Sequence, residues 1–351
     1  MRAVSDQVRN IMDGVQRLRD DASMELSPRH VAQAKAHSQI EKSGAQFRQR
    51  LSQIQDELQQ PLIRLMGYLD RDEDNMTRSD RIAVLRWLSR VPHRKIHDNI
   101  ASDLLPLSGR WLERNSLYQE WRKSSVSSTL WLHGIPGSGK SKLVAHVVRQ
   151  LHHEAGKHQF AAPIAYFYCA RDTAEPERAD PSEIMRSLLK QISNCKPDEP
   201  VRKNILAEYD RRKKEADDDA TEINQLNIGE CVAHILEVTN ETSATIVVDA
   251  LDECDPATRH ELLRALKEVV TRSASLVKLF ISSRDNADIT LRLADVPNIY
   301  IKASDNGEDI ERFTHQEVDK AIQEQRLLGG NVSDDLREQI KLKLIQDSQG
   351  M

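Results

Sequence analysis

The eight residues Gly134-Ile135-Pro136-Gly137-Ser138-Gly139-Lys140-Ser141 restrict what this chain can fold into more than any other stretch. They satisfy the pattern G-x-x-x-x-G-K-[ST], and their surroundings suit it. Ser128 to His133 reads as a short strand entering the loop, and Lys142 to Val148 as the helix leaving it. Strand, glycine loop and helix together make a phosphate cradle. Glycines let successive backbone N–H groups turn inward toward phosphate oxygens, and the helix adds the positive end of its dipole. In such a cradle Lys140 is expected to reach the β- and γ-phosphates, and the Ser141 hydroxyl to hold Mg2+. The loop is a Walker A motif, with Gly134 through Ser141 as the nucleotide-binding residues.

From 128 onward the pattern alternates between strand and helix, which implies a parallel sheet. Strands are expected at 129–133, 163–169, 244–249, 276–282 and 297–302. The third of them, Thr245-Ile246-Val247-Val248-Asp249, is a β-branched apolar run ending in an acid, the Walker B pattern. Asp249 would sit at the strand's C-terminal end and hold Mg2+ directly or through water. Asp252 and Glu253 follow and add two carboxylates near the γ-phosphate. Glu253 is the candidate to polarise an attacking water, with Asp252 as its partner. A further buried strand, Lys278 to Ser283, ends at Arg284. An arginine at that edge can contact the γ-phosphate and report whether ATP or ADP is bound, as a sensor-1 residue does. Placing this strand between the Walker A and Walker B strands gives an α/β P-loop NTPase of the additional-strand class. Its sheet order is 5-1-4-3-2, with ligand at the strand C-termini. No N-K-x-D follows a late strand, which tilts the base toward adenine.

The rest of the chain divides by composition. Residues 1–78 are polar with helical spacing and read as a bundle or coiled region. A long helix is expected from Ser27-Pro28 to about Leu58, and the acidic run Asp70 to Asp74 reads as a solvated break. Residues 79–127 form a connector: Ile82, Leu85, Trp87 and Leu88 share a helical face that Pro92 ends. All four tryptophans fall at Trp87, Trp111, Trp121 and Trp131. The connector either packs on the next domain or also covers the nucleotide base. The NTPase core spans 128–303. Asp180-Pro181-Ser182-Glu183 caps a helix running to about Ser193, and Asp255-Pro256 opens another reaching about Thr271. The charge-mixed stretch 196–226 reads as a solvated helix and loop rather than a basic binding patch. Residues 304–351 begin a C-terminal helical subdomain, with a helix over roughly 307–327 stopping at Gly329-Gly330 and another starting at Ser333-Asp334. No internal repeat is visible.

Bulk properties exclude some classes. A net charge of −5 gives no reason to expect nucleic acid as the main partner. No apolar run approaches the roughly 20 residues of a membrane span. Cys169, Cys195, Cys231 and Cys254 are scattered without a C-x-x-C pair, so they read as reduced thiols in a cytoplasmic protein rather than a disulfide frame or zinc site.

With these motifs placed, the chain resembles a NACHT-domain STAND NTPase of the fungal NOD-like receptor type, whose nucleotide domain is similar to the nephrocystin-3 N-terminal region. The segment Trp87 to His93, His97, Gly109 to Leu112, Tyr166 to Cys169 and Glu177 to Pro181 carry that resemblance over roughly 80–350. It implies a molecular switch that is closed with ADP and open and self-associated with ATP, and that slow hydrolysis resets. Where the family pattern has Leu-Pro-Gly-Thr-Gly, this chain has Leu105-Pro106-Leu107-Ser108-Gly109. The family's winged-helix region and sensor repeats would begin where this sequence stops. Arg178 would act either as an arginine finger across an oligomer or in a surface salt bridge. A dedicated ATPase or kinase, and a non-catalytic scaffold stabilised by nucleotide, are the competing readings.

Overall fold

A computed structural model describes residues 12–18, 20, 78–102, 104–105, 108–157, 162–193, 201–302 and 305–348. The chain divides into two compact units, Met1–Asn75 and Met76–Met351. In the first, 12–18 and 20 are helical and exposed. The expected helix from Ser27 to about Leu58, the acidic run at 70–74 and Cys195 lie outside the described residues.

The second unit is built on a five-stranded sheet: β1 (Ser128–His133), β2 (Ile164–Tyr168), β3 (Ala244–Asp249), β4 (Val277–Ser283) and β5 (Asn298–Tyr300). The spatial order is β2-β3-β4-β1-β5, and every pairing is parallel. This is the order expected from the motifs, read from the opposite edge. In β4 all seven residues are buried, because helices cover both faces of the sheet. Side chains alternate between two cores with the strand period of two. Ile246 and Val248 of β3, and Leu279 and Ile281 of β4, enter one core. Val247 and Phe280 enter the other.

The first core is closed by six helices: α1 (Arg78–Leu88), α6 (Pro181–Ser193), α7 (Lys203–Asp219), α8 (Ile228–Glu241), α9 (Arg259–Arg272) and α10 (Ala287–Arg292). The second is closed by α5 (Lys140–Ala155), which leaves the Walker A loop, and by the connector helices α2 (His93–Ala101), α3 (Arg110–Arg114) and α4 (Ser116–Lys123). Local signals set several boundaries. Asp180 accepts hydrogen bonds from the Ser182 and Glu183 N–H groups at the start of α6. Asn227 and Glu230 form a reciprocal capping box on α8. Trp87 is buried in the first core and Trp121 in the second, so the connector packs on both faces of the sheet. Lys278 of β4 is buried, and its ammonium donates to the Trp121 carbonyl (2.7 Å) and the Arg122 carbonyl, capping the C-terminus of α4.

Two boundaries and the burial of one helix differ from expectation. α9 starts at Arg259, not at Pro256, because Asp255 first closes a turn by accepting the Ala257 N–H on its side chain. The helix expected to reach 327, α11 (Gly307–Gln323), stops four residues early, where Gln325 adopts a positive φ of 58°. It packs against α12 (Asp334–Ser348). The charge-mixed stretch holds α7 (Lys203–Asp219), which is not merely a solvated helix. Ile205 and Tyr209 enter the first core, and Arg212 is buried against Glu208 (2.6 Å) and Glu230 (2.6 Å). Its spacing hides this, since the same charges would serve a solvated face.

Candidate nucleotide site

The Walker A loop leaves β1 after His133 and closes on the first turn of α5. Gly137 and Gly139 both hold φ near +80°, a conformation that a β-carbon disfavours, so the loop can curl back under its own N–H groups. Ser138 is buried within it. The Lys140 ammonium folds over the loop and donates to the carbonyls of Gly134 (2.9 Å) and Ile135 (2.7 Å) and to the Ser138 hydroxyl (3.3 Å). Burial pulls the Lys140 pKa below its usual value, while the Asp252 and Asp249 carboxylates push it back up. Those carboxylates therefore act on the same ammonium, across the gap between the Walker A loop and the ends of β3 and β4.

At the end of β3, Asp249 is 2% exposed. It accepts the Ser282 hydroxyl from the neighbouring strand β4, and the Ser141 hydroxyl bonds the same carboxylate. Burial nevertheless raises its pKa above the usual carboxylate range. A buried carboxylate beside a serine hydroxyl, both oxygen donors, fits a divalent cation such as Mg2+, whose charge would offset the cost of burying the anion.

After β3 the chain makes a short 3-10 turn, Leu251–Glu253, entered through Ala250 at a φ of +52°. The turn brings Asp252 and Glu253 to one cation. The Arg284 guanidinium lies 3.3 Å from Asp252 and 3.0 Å from Glu253, and the Arg284 N–H donates to Asp252 (2.8 Å). Asp252 is nearly buried, whereas Glu253 and Arg284 face the opening.

Several residues that complete the site carry no sequence signature. Arg259, 1% exposed, donates through Nη2 to the carbonyls of Asp252 (2.8 Å) and Cys254 (3.0 Å) and through Nη1 to both carboxylate oxygens of Asp288. It fixes the backbone of the acidic turn. Arg171 reaches the same two carbonyls. His133 stacks on Trp131 and bonds Asp285 (2.5 Å) and Asn298 (3.1 Å). The Trp131 indole in turn donates to Ser283 (2.8 Å). Arg178 is held by the Tyr168 carbonyl (3.2 Å) and by Glu175 (2.6 Å), so of its two readings the salt bridge is the one present. Burial pushes the thiols of Cys231 and Cys254 up to about 12, which makes them poor nucleophiles and ligands.

Beside the loop lies a cavity of about 700 Å³. Its floor is Gly137, Ser138, Gly139 and Leu143. The connector supplies Leu105, Ser108, Gly109 and Trp111 to one wall, and α11 supplies Asp309, Ile310 and Phe313 to the other. The Gly109 N–H donates to Asp309 (2.8 Å), joining the two walls. The Trp111 indole N–H is buried and has no hydrogen-bond partner among the described residues. The connector thus packs on the core and also lines the space next to the Walker A loop.

Residues 107–284, just over half of the chain, match the family model for the nephrocystin 3 N-terminal region. The chain belongs to this family. Among curated proteins it is similar to the vegetative incompatibility protein HET-E-1 of Podospora anserina, with 25% identity over 193 residues, 54% of this chain and 13% of that protein. The chain thus spans a small part of the length of the curated relative it matches. The NACHT-type STAND NTPase resemblance carried by the motifs is borne out by both matches. Among solved structures, the ORC1 protein of Aeropyrum pernix in complex with DNA aligns at 13% identity with a TM-score of 0.39, covering 71% of this chain and 69% of that one. The ORC2 protein of Aeropyrum pernix aligns at 11% identity with a TM-score of 0.40, covering 70% and 71%. Among the described residues no helix is long and apolar enough to cross a membrane, and no cluster of ligating side chains forms a metal cage.

Proposed function

We propose that this nephrocystin 3 N-terminal-type domain is a nucleotide-controlled switch that binds Mg-ATP or ADP, hydrolyses ATP slowly and uses the difference to control self-association. The observation that carries the reading is the meeting of Lys140, Asp249, Asp252 and Arg284 at the end of the sheet, next to a cavity walled by the connector and α11. Phosphates would occupy the Walker A N–H groups, with Lys140 leaving its loop carbonyls for phosphate oxygens of greater charge. Ser141 and Asp249 would hold Mg2+, which supplies neutralisation of phosphate charge. The base would enter the apolar cavity, where the free Trp111 N–H offers a hydrogen bond to a ring or exocyclic acceptor.

Glu253 would orient the attacking water, and Arg284 would read the γ-phosphate. Both carboxylates share Arg284 in this conformation. A γ-phosphate competes for that guanidinium and thereby frees Glu253, so the same exchange senses ATP and arms the base. Residues 1–78, 79–127, 128–303 and 304–351 would act as helical appendage, connector, motor core and start of the helical subdomain. The two cavity walls come from segments before and after the core, so nucleotide occupancy can be transmitted to both. Binding is tested by titrating ATP and ADP, with Mg2+, into the wild type and Lys140→Ala. The variant is expected to lose about a hundredfold or more in affinity, on the order of 3 kcal/mol. Unchanged affinity would remove the site assignment.

A further inference from the structure

A second cavity, of about 740 Å³, opens where α1 meets α2 against α6. Its rim and walls carry Arg86, Arg90, Arg94 and Lys95 from the connector and Lys190 from the core, with His93 among them. No acidic side chain lines it. The nearest buried acid, Glu183, is already spent on the Ser89 hydroxyl (2.5 Å) and Arg186 (2.8 Å). Among the described residues, the side chains of Arg86, Arg90, Arg94 and Lys95 make no hydrogen bond or ion pair, and Lys190 donates to the Ser89 carbonyl (2.7 Å). Elsewhere on this chain arginines are routinely paired with glutamate or aspartate, as at Arg211, Arg272 and Arg337. Five cations face one concavity whose own lining carries no acid, and they repel one another, a cost that a bound anion removes.

We propose that this basic cavity binds a compact anion carrying several clustered phosphate monoesters, an inositol polyphosphate or the head group of a polyphosphoinositide. Three arginine forks suit the two-oxygen edges of phosphates, and Lys95 and Lys190 add point charges at the margins. The volume is that of a small-molecule site. A nucleic-acid strand fits less well. Its bases need an exposed aromatic platform, and the ring at hand, His93, is packed edge-on against Tyr166 at 5.6 Å. Burial together with the Lys190 and Arg94 charges lowers the His93 pKa to about 4, so its ring is neutral at physiological pH and adds a hydrogen bond rather than a charge. Lys190 belongs to the core and the other four cations to the connector. A phosphate cluster would tie the two together on α6, away from the nucleotide loop.

The test uses the full chain with inositol hexakisphosphate as probe, read by calorimetry and thermal melting. Binding is expected in the micromolar range, with a rise in melting temperature of roughly 5 °C near saturation. Arg90→Glu combined with Arg94→Glu, both on exposed positions, should weaken it at least tenfold while leaving ATP affinity unchanged. Lys140→Ala should bind the probe as the wild type does, which separates this cavity from the Walker A loop. A second arm uses vesicles of neutral lipid with and without phosphatidylinositol 4,5-bisphosphate. Sedimentation with the charged vesicles alone, lost in the double variant, assigns the ligand to a membrane head group, whereas probe binding without vesicle binding assigns it to a soluble phosphate. No response to either, equal response in the double variant, loss of probe binding in Lys140→Ala, or preferential binding of a single-stranded RNA oligomer would overturn the proposal.

Discussion

Arg284 and Glu253 form an ion pair at 3.0 Å across the mouth of the proposed phosphate site, and Asp252 shares the same guanidinium at 3.3 Å. The residue expected to sense the γ-phosphate and the residue expected to activate water are thus each other's partners. Glu253→Gln keeps the volume and a hydrogen bond to Arg284 but removes the base. ATP affinity should change less than threefold while single-turnover hydrolysis falls about a hundredfold, the usual size of a general-base effect. Rapid-quench measurement of phosphate release checks this. Hydrolysis at the wild-type rate would transfer the role to Asp252.

Gly109 sits at φ +78° in the turn that lines the cavity. A methyl group there would meet His146 and Leu143 at 3.2 Å, and the backbone conformation disfavours any β-carbon. Gly109→Ala is expected to cost about 1–2 kcal/mol of stability and to weaken ADP binding about tenfold by shifting the wall that Asp309 holds. Thermal melting with and without ADP separates the two effects, since a purely structural loss would leave the ADP-induced rise intact.

Much of this site is legible in the sequence because each piece obeys a strict local pattern. The glycines at 137 and 139 mark left-handed turns, and the β-branched run ending at Asp249 marks a buried strand pointing at the loop. Even the sheet order follows once Arg284 is taken as the end of a strand between the other two. What stayed hidden depends on contacts between distant segments. Arg259 stands 7 residues past Asp252 on a helix and looks like any amphipathic arginine until the fold aims it at two carbonyls. Asp309 closes the cavity from 200 residues beyond Gly109. Arg212 lies in a charge-rich run whose solvated appearance conceals a buried brace between α7 and α8.

That brace has a pH signature. Hydrogen bonds from Arg211 and Arg212 lower the Glu208 pKa from the usual 4.5 to about 2. The folded state releases this proton more readily than the unfolded chain, so the contribution is present above about pH 4.5 and is lost as the pH falls toward 2. Glu208→Gln should lower stability at pH 7 by about 1 kcal/mol. The gap to the wild type should close between pH 4.5 and 2 in urea titrations. A gap that stayed constant through that window would mean that Glu208 contributes through packing alone.

The central claim is that nucleotide identity controls assembly, and molar mass in two nucleotide states tests it most directly. Light scattering on the chain with Mg-ADP should give one mass, and with Mg2+ and a non-hydrolysable ATP analogue a larger one that Lys140→Ala does not reach. The same mass in both states, at concentrations that saturate the wild-type site, would contradict the account and leave a nucleotide-stabilised scaffold in its place.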